Sequence, residues 1–143
     1  MDNFPYRDGE LQAESLAVSE IAGRFGTPCY IYSRAALESA FQEYRDALAG
    51  SDHLVCYAMK ANSNIALLNL FARLGSGFDI VSRGELERVL RAGGDPKKVV
   101  FSGVGKTRDE MEAALKANIR VFNVESLSEL DLLNDVALIM GKK

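Results

Sequence analysis

The chain has 143 residues, 48% of them hydrophobic and 26% charged, with a net charge of -3. That composition suits a globular domain with a buried core, and it gives no basic footprint for nucleic acid or an anionic membrane. No apolar run approaches the roughly 18–20 residues of a membrane span, and the N-terminus lacks the basic and apolar regions of a signal peptide.

Residues 1 to 14 are polar and poorly patterned. From Ser15 to Phe25 the positions Val18, Ile21, Ala22 and Phe25 follow helical spacing, and Gly26 can close the helix. Thr27-Pro28 breaks the chain, and Cys29-Tyr30-Ile31-Tyr32 reads as a short strand. Ser33 can cap a long amphipathic helix carrying Leu37, Ala40, Phe41, Tyr44 and Leu48, ended by Gly50-Ser51.

The chain then becomes regular. Strand 54–59 is followed by helix 64–74 with Ile65, Leu68 and Phe71. Strand 78–81 precedes helix 83–92 with Leu86, Val89 and Leu90. Strand 98–101 precedes helix 108–117 with Met111, Ala114 and Leu115. Strand 120–124 precedes helix 127–140 with Leu130, Leu133, Ala137 and Met140. Three helices open on a capping-box pattern, Ser82-x-x-Glu85, Thr107-x-x-Glu110 and Ser126-x-x-Glu129, in which the hydroxyl caps a backbone N–H and the glutamate reaches back.

Strand onsets recur about every 22 residues, a period shared by βα units and leucine-rich solenoids. The strands lack the Leu-x-x-Leu-x-Leu pattern and are unbroken apolar runs, as in Val99-Val100-Phe101, so βα units fit better. A complete (β/α)8 barrel takes about 250 residues. The expected fold is therefore α/β, the first half of such a barrel, with the chain ending early at Gly141-Lys142-Lys143.

Parallel strands bring their C-terminal ends to one rim, where barrels build their sites. Lys60 stands there, at the end of His53-Leu54-Val55-Cys56-Tyr57-Ala58-Met59-Lys60. An amine that forms an imine must lose its proton, so its pKa must fall from about 10.4 through burial or a nearby cation. The pattern alone leaves Lys60 either such a nucleophile or a solvated lysine at a strand end. Asp79 interrupts the apolar strand Gly77-Phe78-Asp79-Ile80-Val81, facing either a polar site or a wet edge.

Ser102-Gly103-Val104-Gly105-Lys106-Thr107 invites a phosphate-loop reading, but the first glycine of a Walker motif would fall at Val100. Arg108 likewise stands where a dinucleotide loop needs its third glycine. The plainer role is a tight turn with Thr107 capping the next helix. Cys29 and Cys56 form neither a disulfide framework nor a metal motif, and His53 is the only histidine. No metal site and a reducing, cytoplasmic setting are expected.

Cys56-Tyr57-Ala58-Met59-Lys60-Ala61-Asn62-Ser63-Asn64 resembles the cofactor-lysine stretch of the diaminopimelate decarboxylase family. That family belongs to the fold-type III pyridoxal-phosphate enzymes. Four further motifs resemble it in order: Phe25 to Tyr32, Gly77 to Leu86, Val100 to Thr107 and Phe122 to Ser126. The resemblance implies that Lys60 is catalytic and holds pyridoxal 5'-phosphate as a Schiff base, with Asp79 an electrostatic partner in the cofactor site. The implied reaction converts meso-2,6-diaminopimelate to L-lysine and CO2, the last step of lysine biosynthesis, in a homodimer that binds no nucleic acid or membrane. It also implies that residues 1–33 are a lead-in partly joined to a second, β-rich domain. Residues 34–143 would be part of the pyridoxal-binding barrel.

Alanine racemases typically carry a tyrosine where Asn64 stands, and ornithine decarboxylases lack Ser-Gly-Val-Gly-Lys-Thr; both features favour the diaminopimelate enzyme. The alternatives are another fold-type III enzyme, either an ornithine- or arginine-type decarboxylase or a racemase, and a non-catalytic α/β module. The glycine-rich phosphate loop and the substrate arginines of the family would lie beyond position 143. The 143-residue chain alone is therefore expected to lack decarboxylase activity and to bind the cofactor weakly.

Overall fold

A computed structural model describes residues 3–142; Met1, Asp2 and Lys143, at the ends of the predicted lead-in and barrel, lie outside the described residues. The chain divides into two compact units, one ending at Ser51 and one beginning at Asp52. The predicted barrel start at residue 34 falls inside the first unit.

The first unit opens on a small antiparallel sheet of β1 (Tyr6–Arg7), β2 (Glu10–Ala13) and β3 (Leu16–Ala17), paired in that order. Sequence patterning placed no strands here. The signal was present in Asp8-Gly9, whose φ angles of 52° and 79° are both positive. Two positive-φ residues between paired strands make the tight hairpin turn that Asp-Gly favours. Helix α1 (Val18–Phe25) follows at once, shorter at its start than expected because β3 occupies the first residues. Residues 29–32 are not a strand: no ladder forms there, and Tyr30 is 92% exposed. A strand is defined by its partner, and aromatic, β-branched composition alone does not supply one. Helix α2 (Arg34–Ala47) is capped by Ser33, whose hydroxyl accepts from Ala36 N. The Ser33 hydroxyl also donates to Glu14 Oε1, which accepts from Ala35 N as well.

The second unit repeats one pattern four times. Strands β4 (Cys56–Ala58), β5 (Gly77–Ile80), β6 (Val99–Phe101) and β7 (Val121–Phe122) form a parallel sheet in chain order. Each is followed by a helix: α3 (Ile65–Arg73), α4 (Arg83–Arg91), α5 (Arg108–Ala117) and α6 (Leu127–Ile139). The alternation of side chains along a strand splits the sheet into two faces. Phe78, Ile80, Val99 and Phe101 are fully buried, as are Leu68, Val89, Met111 and Ala114 of the helices. Full burial of each large apolar side chain contributes about 1.5–3 kcal/mol. The opposite face carries Ala58, Asp79 and Val100, which are only half-buried, and Val121, which is exposed.

Close packing of the strands explains Gly77. A Cβ there would lie 2.6 Å from both Cys56 Sγ and the Lys98 carbonyl oxygen. Because one neighbour is backbone, Gly77→Ala is expected to destabilise the protein by about 1–3 kcal/mol, the usual cost of overpacking. Thermal unfolding of the full-length variant checks it.

The helix starts match expectation more closely than the boxes drawn on them. Ser82, Thr107 and Ser126 each accept from the backbone N–H three residues on. Only Thr107 completes the reciprocal box, with Glu110 accepting from Thr107 N. Glu85 instead accepts from Val81 N, and Glu129 turns inward to an ion pair. Burial pushes the Glu110 carboxyl up, but the N–H groups of Thr107 and Arg83 and the Thr107 hydroxyl outweigh it and hold it below its ordinary 4.5. A carboxylate depressed on folding contributes stability above its unfolded pKa that is lost as pH falls through the folded value. The stability gap between wild type and Glu110→Gln is therefore expected to narrow as pH drops below 4.5, as read from melting curves.

Helix α6 departs from its predicted face. Val136 is its buried apolar residue, whereas Leu130 is 46% exposed and Leu127 81%. The helix is apolar on several sides, so periodicity could not select the buried stripe. Among the described residues, no helix is long and apolar enough to cross a membrane.

Candidate active site

Lys60 does not extend β4. It sits in a single 3-10 turn, Met59–Ala61, directly after the strand. Both sides of that turn are fastened. Met59 is fully buried, and Tyr57 stacks on Phe71 at 4.3 Å between ring centroids. The Tyr57 hydroxyl donates to the Asn62 carbonyl at 3.1 Å, bridging the two ends of the segment that contains Lys60. Asn62 Oδ1 accepts from Asn64 N, and Asn64 Oδ1 in turn caps α3 by accepting from Ala66 N. Arg88 of α4 donates to the Ser63 carbonyl at 3.2 Å. Lys60 itself is exposed, so its amine stands free on a fixed support.

Asp79 is the counterpart on the neighbouring strand. It pairs across the ladder with Ala58 on one side and Val100 on the other, and Val100 pairs with Val121. These four residues form one row on the less buried sheet face. Asp79 Oδ1 is buried with no hydrogen-bond partner. A buried, unsatisfied carboxylate oxygen costs free energy that native proteins rarely leave uncompensated. It marks a place where a donor belongs. Lys60 and Asp79 therefore lie at the same end of adjacent strands, and no ion pair joins them.

Cys56 lies one step below Asp79 on the same face. Burial first, and then the Asp79 carboxylate, push its thiol above the ordinary 9.0, while Arg120 pulls the other way. The thiol thus stays protonated at neutral pH and is no nucleophile.

The chain bends at Gly103-Val104, with positive φ at Gly103 and Gly105, and Thr107 caps α5 as expected. Sequence reasoning missed what Lys106 does. Its Nζ donates to the Gly103 carbonyl, the Asn123 carbonyl and Glu129 Oε1. Nothing in the sequence joins Lys106 to a residue 23 positions away. The hydrogen bond between Asn123 Nδ2 and Ser102 Oγ was likewise invisible. Among the described residues, no group of three or more His, Cys, Asp or Glu could hold a metal.

A lysine at a strand end, an orphan carboxylate oxygen on the next strand and parallel βα units suit a carbonyl cofactor held through an amine. Comparison with known proteins agrees. Residues 34–139 match the family described as pyridoxal-dependent decarboxylase, pyridoxal binding domain. The chain belongs to that family. It is 65% identical to the diaminopimelate decarboxylase of Pseudomonas aeruginosa over all 143 residues, which are 34% of that protein. A solved structure from Aquifex aeolicus superposes with a TM-score of 0.94 at 48% identity, over 99% of this chain and 35% of that one. Diaminopimelate decarboxylase of M. jannaschii, solved with L-lysine, gives a TM-score of 0.91 at 37% identity, over 98% of this chain and 34% of that one. The chain thus spans about a third of the length of these pyridoxal-dependent decarboxylase relatives. Its parallel sheet and helices match their N-terminal part.

Proposed function

We propose that the full-length protein decarboxylates meso-2,6-diaminopimelate to L-lysine and CO2, using pyridoxal 5'-phosphate held by Lys60. One observation in the structure carries the cofactor site: the buried, unpartnered Asp79 oxygen on the strand next to Lys60. The residues present fit the group. Lys60 offers a primary amine, free of any ion pair, that can hold an aldehyde covalently. Asp79 offers an acceptor for a proton-bearing nitrogen, and its charge favours the protonated state of a base beside it.

When bound, the cofactor supplies an electron sink for the pair left behind as the substrate loses CO2. The chain's own residues do the rest. The 3-10 turn, pinned by Met59 and by Tyr57 through Asn62, fixes where Lys60 Nζ can stand. When not holding the group, the Lys60 nitrogen could receive or deliver a proton at that place. Asp79 holds a fixed negative charge close by, on a face whose neighbours Ala58 and Val100 exclude part of the solvent.

The substrate assignment is supported by the identity to diaminopimelate decarboxylases across the whole chain. In the same reading, residues 34–143 form part of the pyridoxal-binding barrel and 1–33 the lead-in. The enzyme would work as a cytoplasmic homodimer. Product analysis tests the reading. The full-length protein, given the cofactor and separately meso-diaminopimelate, ornithine, arginine or alanine, should release CO2 and L-lysine from the first alone. Faster turnover of ornithine or arginine, or racemisation of alanine, would replace it. The 143-residue chain alone is expected to release no measurable CO2; release at the full-length rate would contradict that.

A further inference from the structure

Lys106 sits in a segment that looks like a phosphate loop, yet its ammonium is fully committed. The residue is 5% exposed. Its three acceptors stand at 2.7 Å (Gly103 O), 2.6 Å (Asn123 O) and 2.6 Å (Glu129 Oε1). An ammonium has three protons, so none remains for a ligand. Two of the acceptors are backbone carbonyls of the loops that leave β6 and β7, and the third belongs to α6. The pair is therefore a clamp across two neighbouring loop exits.

Those exits carry side chains on the face of Asp79. Val100 and Val121 share a row with Asp79. Ser102 and Asn123 stand just past the ends of β6 and β7, where Ser102 N still donates to the Ile80 carbonyl and Asn123 N to the Phe101 carbonyl. Lys60 stands two residues beyond Ala58, in the 3-10 turn that leaves β4. Ser102 Oγ and Asn123 Nδ2 are hydrogen-bonded at 3.0 Å, so one polar pair joins the two exits. Asn123 is held twice, by its carbonyl on Lys106 and by its amide on Ser102.

We infer that Lys106 and Glu129 are positioning residues whose buried ion pair fixes the Ser102–Asn123 pair as a wall of the pyridoxal site. The inference rests on the cofactor reading above. A buried ion pair is a weak device for stability, since apolar residues of similar size often serve as well. Here it serves geometry, because one ammonium bonded to three acceptors ties both loops to α6. Stability and positioning can therefore be separated by removing both charges together.

The test uses the full-length protein, comparing wild type with Lys106→Met/Glu129→Leu. Melting temperature, pyridoxal-phosphate dissociation constant, kcat and KM, and amide hydrogen exchange are measured on each. The double variant should melt near wild type yet bind the cofactor about tenfold more weakly, the scale of one lost hydrogen bond to a charged group. Its kcat should fall about 10- to 100-fold, the cost of misplacing groups by an ångström, with KM less affected. Exchange should rise in residues 103–105 and 123–125. Wild-type affinity, kcat and exchange in the double variant would overturn the inference. If that variant does not fold, Ser102→Ala/Asn123→Ala removes the wall without touching the core. Weaker cofactor binding there supports the inference, and unchanged binding overturns it. A wild type that binds no pyridoxal phosphate would overturn the cofactor reading and this inference with it; normal wild-type binding beside unaffected variants overturns the inference alone.

Discussion

Lys60→Ala in the full-length protein should abolish the visible absorbance of bound pyridoxal phosphate and lower kcat by about 10^2–10^4-fold or more, the range lost with a proton-transfer group. The reason is local. Lys60 is exposed and stands on a 3-10 turn whose flanks are fixed by Met59, Tyr57 and Asn62. Truncation at Lys60 removes the amine and leaves those fastenings intact, so the melting temperature of the cofactor-free protein should stay close to wild type. Lys60→Arg should be nearly as inactive, because a guanidinium stays protonated and cannot hold an aldehyde. Absorbance titration and steady-state kinetics read the first effect, and calorimetry the second. Full activity in Lys60→Ala would mean that this lysine is a solvated strand-end residue.

Lys106→Met alone should behave in the opposite way, destabilising the fold before anything else. It strands the Glu129 carboxylate, whose side chain is only 8% exposed, without its 2.6 Å partner. Breaking one side of a buried pair costs about 3–5 kcal/mol, much of it the penalty of an uncompensated charge. It also releases the Gly103 and Asn123 carbonyls. Adding Glu129→Leu should restore most of the lost stability, since the stranded charge is gone. Denaturant titration of the single and double variants gives both numbers. Equal destabilisation of the two would show that the ammonium's bonds to the carbonyls, and not the charge pair, carry the energy.

The contrast between these two lysines shows what a sequence exposes. Lys60 was legible because its position follows from order along the chain: an apolar strand, then a polar turn, at the rim where βα units build sites. The same local logic finds β4 to β7 and the helices that follow them, because each is written in consecutive residues and three of the helices open on Ser82, Thr107 and Ser126 as caps. Lys106 was illegible because its role depends on Glu129 and Asn123, which reach it only through tertiary packing. For that same reason Glu129 does not close the box on Ser126: the buried ammonium is a stronger partner than a backbone N–H at an exposed helix start.

Two misreadings have simpler causes. The stretch 29–32 has strand composition but no ladder in the structure, and a strand depends on its neighbour. The N-terminal sheet was overlooked because its strands are two to four residues long, too short for periodicity, although Asp8-Gly9 marked the turn. Asp79 falls between the two kinds. The sequence showed a carboxylate in an apolar strand and left its purpose open; the unpartnered Oδ1 adds that the oxygen has nothing in the described structure to bond to. Asp79→Asn is accordingly expected to fold normally and to bind the cofactor about tenfold or more weakly, the worth of one charge-assisted hydrogen bond.

The most direct test traps the covalent link itself. The full-length protein is loaded with pyridoxal phosphate, reduced with borohydride, digested and mapped by mass spectrometry. The expected result is one stable pyridoxyl adduct, on the peptide carrying Lys60 and absent from Lys60→Ala. An adduct confined to another lysine, or none at all in protein that turns over diaminopimelate, would contradict the assignment of this strand-end lysine as the cofactor's anchor.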